Sequence, residues 1–225
     1  MLNYVVEPKL LHQYVPPGTE LDSFNGRTYV SLVGFRFCHT KLFGCFPIPF
    51  HADFDEVNLR FYVRRKKDSH NRRGVVFIAE VVPKHAIATA ARLVYGENYT
   101  YRRMKHRIET EMSSKTAEYH WQVSDQWCRL SAQTVGLPTH PQEGSLEEFI
   151  TEHYWGYSTQ RTGGCVEYRV SHVPWRVWAT SEAGFEGNAA ALYGHKLAKV
   201  LERRPACAFV ADGSPVVVYM GNRIQ

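Results

Sequence analysis

The chain has 225 residues, 44% of them hydrophobic and 13% aromatic, which is ample for a packed core and excludes a disordered protein. Its net charge of +5 is modest, and no apolar run reaches the ~20 residues needed to cross a bilayer, so no membrane partner is expected. Five scattered cysteines (Cys38, Cys45, Cys128, Cys165, Cys207) form no C-x-x-C pair, and the first residues lack a signal-peptide pattern, which together suit reduced thiols in a cytoplasm.

Strand signals dominate from the start. "RTYVSLVGFRF" (27 to 37) is β-branched and aromatic. "EVNLRFYV" (56 to 63) alternates, with Val57, Leu59, Phe61 and Val63 on one face and Asn58, Arg60 and Tyr62 on the other. "RRKKDSHNRR" (64 to 73) holds six Lys/Arg against one Asp and reads as a solvated hairpin loop before the strand "GVVFIAEVV" (74 to 82). Pro83 then opens an alanine-rich helix over 84 to 95, and Gly96 sits where a left-handed cap belongs.

Further strands are expected at about 99 to 112, 116 to 124 and 126 to 135. Ser145 with Glu148 makes a capping box for a short helix. Gly163-Gly164 turns a hairpin, "NAAALYGHKLAKVLERR" reads as a helix ending before Pro205, and Asp212-Gly213 turns a final hairpin. The sum is one domain over 1 to 225, an α+β, β-rich fold with about ten strands and three helices. With so many edges to hide, a mainly antiparallel, closed or nearly closed barrel is the expected arrangement.

The chemical motifs are sparse. Cys38, His39, Cys45 and His51 lie close together, but their spacing matches no common zinc pattern, and Cys38 and His39 would point to opposite faces of a strand. No G-x-S-x-G elbow, phosphate loop or dinucleotide fingerprint occurs, so neither a metal nor a cofactor is expected. The stronger signal is Arg60 with Glu80. If 56 to 63 and 74 to 82 pair with Val63 facing Val75, Asn58 lies opposite Glu80 and Arg60 one diagonal away. Val76, Ile78 and Val82 would then share the face of Glu80, so an ionised Glu80 needs a partner there. A charged pair inside an apolar barrel is a sensible ligand anchor; a structural ion pair, or a shifted register that sends Arg60 to solvent, is the plainer alternative.

The segments "GRTYVSLVGFRF", "FDEVNLRFYVRR", "RLVYGENYTYRRM" and "YWGYSTQRTGGCVEYRVSHVPW", in that order, resemble the YqjF-like family of bacterial proteins of unknown function, related to acetoacetate decarboxylase. The resemblance covers roughly residues 10 to 220, is most specific in Asn58-x-Arg60-x-Tyr62-Val63, and implies a barrel-like fold with an internal pocket. In the decarboxylases a Gly-Phe-Pro-Lys-Lys motif follows the helix, and its first lysine forms a Schiff base with the substrate ketone. The matching stretch here is Gly96-Glu97-Asn98-Tyr99-Thr100, which places Tyr99 where that lysine would stand. A phenol cannot form an imine. Lys105 shares the strand parity of Tyr99 but lies about 20 Å further along an extended chain.

Two readings follow. In the first, a small-molecule pocket uses Asn58, Arg60, Tyr62, Glu80 and Tyr99, with Arg60 forking onto a carboxylate; a homo-oligomer is compatible with it. In the second, a nucleic-acid-associated protein uses the basic loop 64 to 73 and the strand 99 to 107, with Tyr99 and Tyr101 as stacking partners. Strand alternation splits Arg102 and His106 from Arg103, Lys105 and Arg107, which favours the first. Only the second requires salt-dependent retention on heparin or single-stranded DNA.

Overall fold

Strands alternate with tight turns along most of the chain. The computed structural model describes residues 1–39, 53–67, 70–85, 88–89, 98–111, 113–160 and 162–224, with the backbone alone at 41–42, 46–47, 67 and 70. The first eight strands are β1 (Leu2–Val6), β2 (Glu20–Leu21), β3 (Thr28–Phe37), β4 (Lys41–Leu42), β5 (Phe46–Pro47), β6 (Phe54–Lys67), β7 (His70–Val82) and β8 (Tyr99–Tyr101). They are followed by β9 (Met104–Thr110), β10 (Lys115–Val123), β11 (Gln126–Thr139), β12 (Trp155–Thr159), β13 (Cys165–Ser171), β14 (Val177–Glu186), β15 (Cys207–Ala211), β16 (Val217–Val218) and β17 (Asn222–Ile224).

All but β4 and β5 join one sheet, whose main path runs β16-β13-β12-β7-β6-β3-β1-β15-β14-β11-β10-β9. Its pairs are antiparallel except β12 with β7 and β7 with β8. The sheet is mainly antiparallel, as expected, but it curls without closing. How far it folds back shows at Gly34 of β3, where an added Cβ would sit 2.6 Å from the Tyr119 ring of β10. Only glycine permits that approach.

The principal core lies on one face of β6 and its neighbours. Leu2 of β1, Leu32 of β3, Leu59 and Phe61 of β6 and Trp121 of β10 are all fully buried in one cluster. The helix Ala190–Leu201 covers it with Tyr193, Leu197, Ala198 and Leu201. Gly194 interrupts that helix at φ 74°, a conformation that costs other residues dearly. A second cluster occupies the opposite face, where Tyr62, Tyr29 and Val75 pack against Phe149 and Ile150 of the helix Leu146–Thr151. The expected capping box starts that helix: Ser145 Oγ accepts from the Glu148 amide at 3.2 Å, and the Glu148 carboxylate accepts from the Gly144 amide at 2.7 Å.

Several expectations are revised. The basic run is not a long loop, because β6 continues to Lys67 and β7 begins at His70. The strand expected over 99 to 112 is two strands, since β8 adds to β7 while β9 turns away at Arg102 and Arg103 to pair with β10. Asp212-Gly213 does not close a hairpin: β15 pairs with β1 and β14, and β16 pairs with β13. Asp212 instead accepts hydrogen bonds from Trp178 Nε1 at 2.7 Å, Arg176 at 2.8 Å and Lys115 at 3.0 Å, so the chain leaves β15 anchored rather than folded back. Most of the expected helix over 84 to 95, with its cap Gly96, lies outside the described residues, as do Cys45 and His51.

Candidate functional site

Strand β6 carries the site because its alternation is mixed. Val57, Leu59, Phe61 and Val63 are fully buried in the main core, and the opposite row reads Glu56, Asn58, Arg60, Tyr62. Glu56, Asn58 and Tyr62 are each 1% exposed, while Arg60 keeps partial access to solvent. Polar groups that deep must find partners or a ligand.

Register brings the row together. Asn58 faces Glu80, as the sequence suggests, but a β-bulge between Leu59 and Arg60 then shifts the pairing. Leu59 faces Ala79 and Arg60 faces Phe77, which leaves Ile78 as the extra residue, and Val63 faces Gly74 rather than Val75. The bulge also flips the faces of β7. Val76 and Ile78 fall in the main core, and Val75 and Phe77 fall on the side of Tyr62, contrary to the expectation that Val76 and Ile78 share the face of Glu80. The bulge sets Phe77 rather than Ile78 opposite Arg60, while Asn58 keeps its place opposite Glu80. Tyr99 arrives from the other side, with β8 lying parallel to β7 and Tyr99 opposite Glu80.

At the centre is Glu56, which the sequence motifs do not single out. The Glu56 carboxylate accepts from Asn58 Nδ2 at 2.9 Å through Oε1 and from the Tyr99 hydroxyl at 3.0 Å through Oε2. Burial pushes its pKa up to about 7, while the bonds from Asn58 and Tyr99 and the Arg60 charge oppose the shift. Parity could have found it, because Glu56 stands two residues before Asn58 on the same row. A carboxylate at the start of a strand is ordinarily solvated, which masks that signal.

Two buried atoms on this row have no hydrogen-bond partner: Asn58 Oδ1 and Arg60 Nε. One is an acceptor and the other a donor, and each such orphan typically costs about 1–3 kcal/mol. Tyr62 is occupied otherwise. Its hydroxyl lies 2.5 Å from Ser31 Oγ, which donates to Asn3 Oδ1 at 2.6 Å, so the phenol is the donor to Ser31. Its ring packs on His153, centroid to centroid at 4.6 Å, and marks the far end of the row. His153 is a second residue not foreseen; burial, with Arg73 and Arg60 nearby, holds its pKa well below the usual range, so the ring is neutral.

The basic segments are engaged elsewhere. Glu20 takes Arg64 at 2.8 Å and Lys66 at 3.7 Å, Asp22 takes Arg73 at 2.7 Å, and Glu167 takes Arg65 at 3.1 Å and Arg72 at 2.6 Å. Arg107 pairs with Glu109 at 2.8 Å, and the Lys105 ammonium rests 4.9 Å from the Trp127 ring centroid, off the β8 row altogether. Two surface hollows, one beside Pro16 and Leu21 and one beside Gly163 and Arg223, share no residue with the polar row.

The fold is that of the acetoacetate decarboxylase-like proteins. Acetoacetate decarboxylase from Legionella pneumophila superposes with a TM-score of 0.63 at 14% identity, over 100% of this chain and 83% of that one. An acetoacetate decarboxylase-like enzyme from Sphingomonas wittichii RW1 gives 0.63 at 14% identity, over 100% of this chain and 89% of its own. The enduracididine biosynthesis enzyme MppR complexed with pyruvate gives 0.61 at 16% identity, over 99% of this chain and 83% of that one. In sequence, the uncharacterized protein YqjF of Bacillus subtilis (strain 168) is 25% identical over 181 residues, 77% of this chain and 69% of the relative. Residues 1–215 match the model of the DUF2071 family, described as an uncharacterized conserved protein, and the chain belongs to that family.

Proposed function

We propose that the chain, acting as one cytoplasmic domain, binds a small carboxylate-bearing metabolite along the row Glu56, Asn58, Arg60, Glu80 and Tyr99, with Tyr62 at its end. The observation that carries this reading is the pair of buried orphans, Arg60 Nε and Asn58 Oδ1, beside a buried carboxyl group. A guanidinium supplies two parallel donors to a carboxylate, and Asn58 Oδ1 accepts from a hydroxyl or hydrated group on the same ligand. A fold relative carrying pyruvate, itself a small carboxylate, supports the ligand class.

Arg60→Ala tests it. With pyruvate as the probe in saturation-transfer NMR, the wild type should show binding and the variant should lose it by about tenfold to a hundredfold, as expected for one charged bond of 1.5–3 kcal/mol. Unchanged binding would retire the assignment. The same variant should lose more thermal stability at pH 8 than at pH 5, because the Arg60 charge favours ionised Glu56 and that help is idle once Glu56 is protonated. Equal losses at the two pH values would show that Arg60 and Glu56 do not share a site.

Covalent chemistry of the decarboxylase type is not part of this reading, since Tyr99 occupies the position that matches the reactive lysine. Borohydride treatment in the presence of acetoacetate should leave the intact mass unchanged. A substrate-dependent adduct on any lysine would overturn the point.

A further inference from the structure

We infer that the chain is a proton-transfer enzyme, in which Glu56 moves a proton off and onto the carbon beside the carbonyl of a 2-oxo acid whose carboxylate is held by Arg60. This rests on the binding reading above and adds a reaction to it.

The side chains of the row narrow the chemistry. Ser31, the alcohol paired opposite Arg60, is locked between Tyr62 and Asn3. What remains is two carboxyl groups, a phenol, an amide and a guanidinium, which hold charge and pass protons. Glu56 is well placed to be the base. Its oxygens each receive one hydrogen bond, from Asn58 and from Tyr99, which fixes the carboxylate plane and leaves a second lone pair on each oxygen. Arg60 and Asn58 face it from β6, Glu80 lies on the same face from β7, and Tyr99 comes from β8. A carboxyl group that is about half ionised near neutral pH serves equally as base and as acid, which is the condition general acid–base catalysis asks for.

The substrate class follows from the same groups. A carbon-bound proton yields to a carboxylate only where the resulting negative charge is delocalised and stabilised. A carbonyl next to that carbon does the first, and the Arg60 guanidinium, with its several N–H donors, does the second. The step balances without another reactant. Glu56 takes the proton, the C–H electron pair becomes the C=C bond, and the carbonyl π pair moves to its oxygen as the enolate. Delivery of a proton from Glu56 back to carbon regenerates the keto acid, and when the carboxyl proton has exchanged with solvent in the meantime the carbon acquires deuterium in deuterium oxide.

The experiment follows the loss of the methyl proton signal of pyruvate and the methylene signal of 2-oxobutanoate in deuterium oxide, with binding measured by saturation transfer in the same samples. The wild type should bind and should exchange faster than buffer alone. Glu56→Gln, which preserves shape, should still bind and should exchange at least about a hundredfold more slowly. Tyr99→Phe removes a hydrogen bond that favours the ionised base, so its rise of rate with pH should move to higher pH than in the wild type. Binding without exchange in the wild type would overturn the inference while the binding reading stands. Wild-type rates in Glu56→Gln, or exchange that coincides with a borohydride-trapped lysine adduct, would overturn it as well. If neither acid binds, the binding reading falls and this one with it.

Discussion

Glu56→Gln is expected to make the protein more stable at pH 8 and to leave it nearly unchanged at pH 5. Burial raises the Glu56 carboxyl from its ordinary 4.5 to about 7 in the folded protein. Below about 4.5 it is protonated in both the folded and the unfolded chain, so it has no pH-dependent effect. Between 4.5 and about 7 the folded chain binds more protons than the unfolded one, and stability falls as pH rises. Above about 7 the loss is complete and on the order of 3 kcal/mol, at 1.36 kcal/mol per pKa unit. Glutamine escapes that loss. Its Oε1 still accepts from Asn58, and its amide donates to the Tyr99 oxygen. A gain of this size at pH 8 corresponds to roughly 6–12 °C in Tm for a chain of this length. Thermal unfolding at both pH values checks it, and equal shifts at pH 5 and pH 8 would show that Glu56 is not the raised acid.

Such a gain would also say what Glu56 is for. A buried acid that lowers stability at physiological pH is poor structural material, since an isosteric amide fills the same space more favourably. Structural carboxylates in this protein look different. Glu118, gripped by Arg129 through its side-chain hydrogen bond, is held below its usual pKa, and Asp212 is likewise held down by Trp178, Lys115 and Arg176 against its own desolvation. Both ionise at a gain. Glu56 does not, and the contrast separates a carboxylate that holds the fold from one that the fold holds.

The parts of this arrangement that were legible in the sequence are those governed by period and by local turn chemistry. The alternation in β6 fixed which residues face the main core, and it placed Asn58 opposite Glu80. The Gly163-Gly164 turn and the Ser145 cap were readable because both depend on a few adjacent residues. The bulge was not readable. Nothing in "GVVFIAEVV" distinguishes Ile78 from its neighbours, yet that one extra residue reverses the faces of the first part of β7 and sets Phe77 opposite Arg60. The role of the basic run was also hidden, because its acidic partners Glu20, Asp22 and Glu167 lie far away in sequence. Charge density along a chain says little about charge in space.

Glu167 of β13 is 5% exposed and takes Arg65 from β6 and Arg72 from β7, while the fully buried Tyr157 hydroxyl donates to it at 3.1 Å. The Arg72 guanidinium also lies over the Trp155 ring at 4.1 Å. One carboxylate thus ties the far end of the β6–β7 hairpin to the neighbouring β12–β13 hairpin, and the same strands carry the polar row at their other end. Glu167→Ala leaves two arginines without their counter-ion and a buried phenol with a poorer acceptor, the Arg72 carbonyl at 3.4 Å. Breaking a buried pair typically costs about 3–5 kcal/mol, and the partial hydration of both arginines brings the expected loss to about 3 kcal/mol. In Tm this is roughly 6–12 °C. Glu167→Gln restores an acceptor for Tyr157 without the charge, so it should fall between the wild type and the alanine variant. Urea unfolding of the three proteins measures the series. If Glu167→Ala lies within about 0.5 kcal/mol of the wild type, a size ordinary for surface substitutions, the basic run is not held by Glu167, and its arginines are free to serve a polyanion after all.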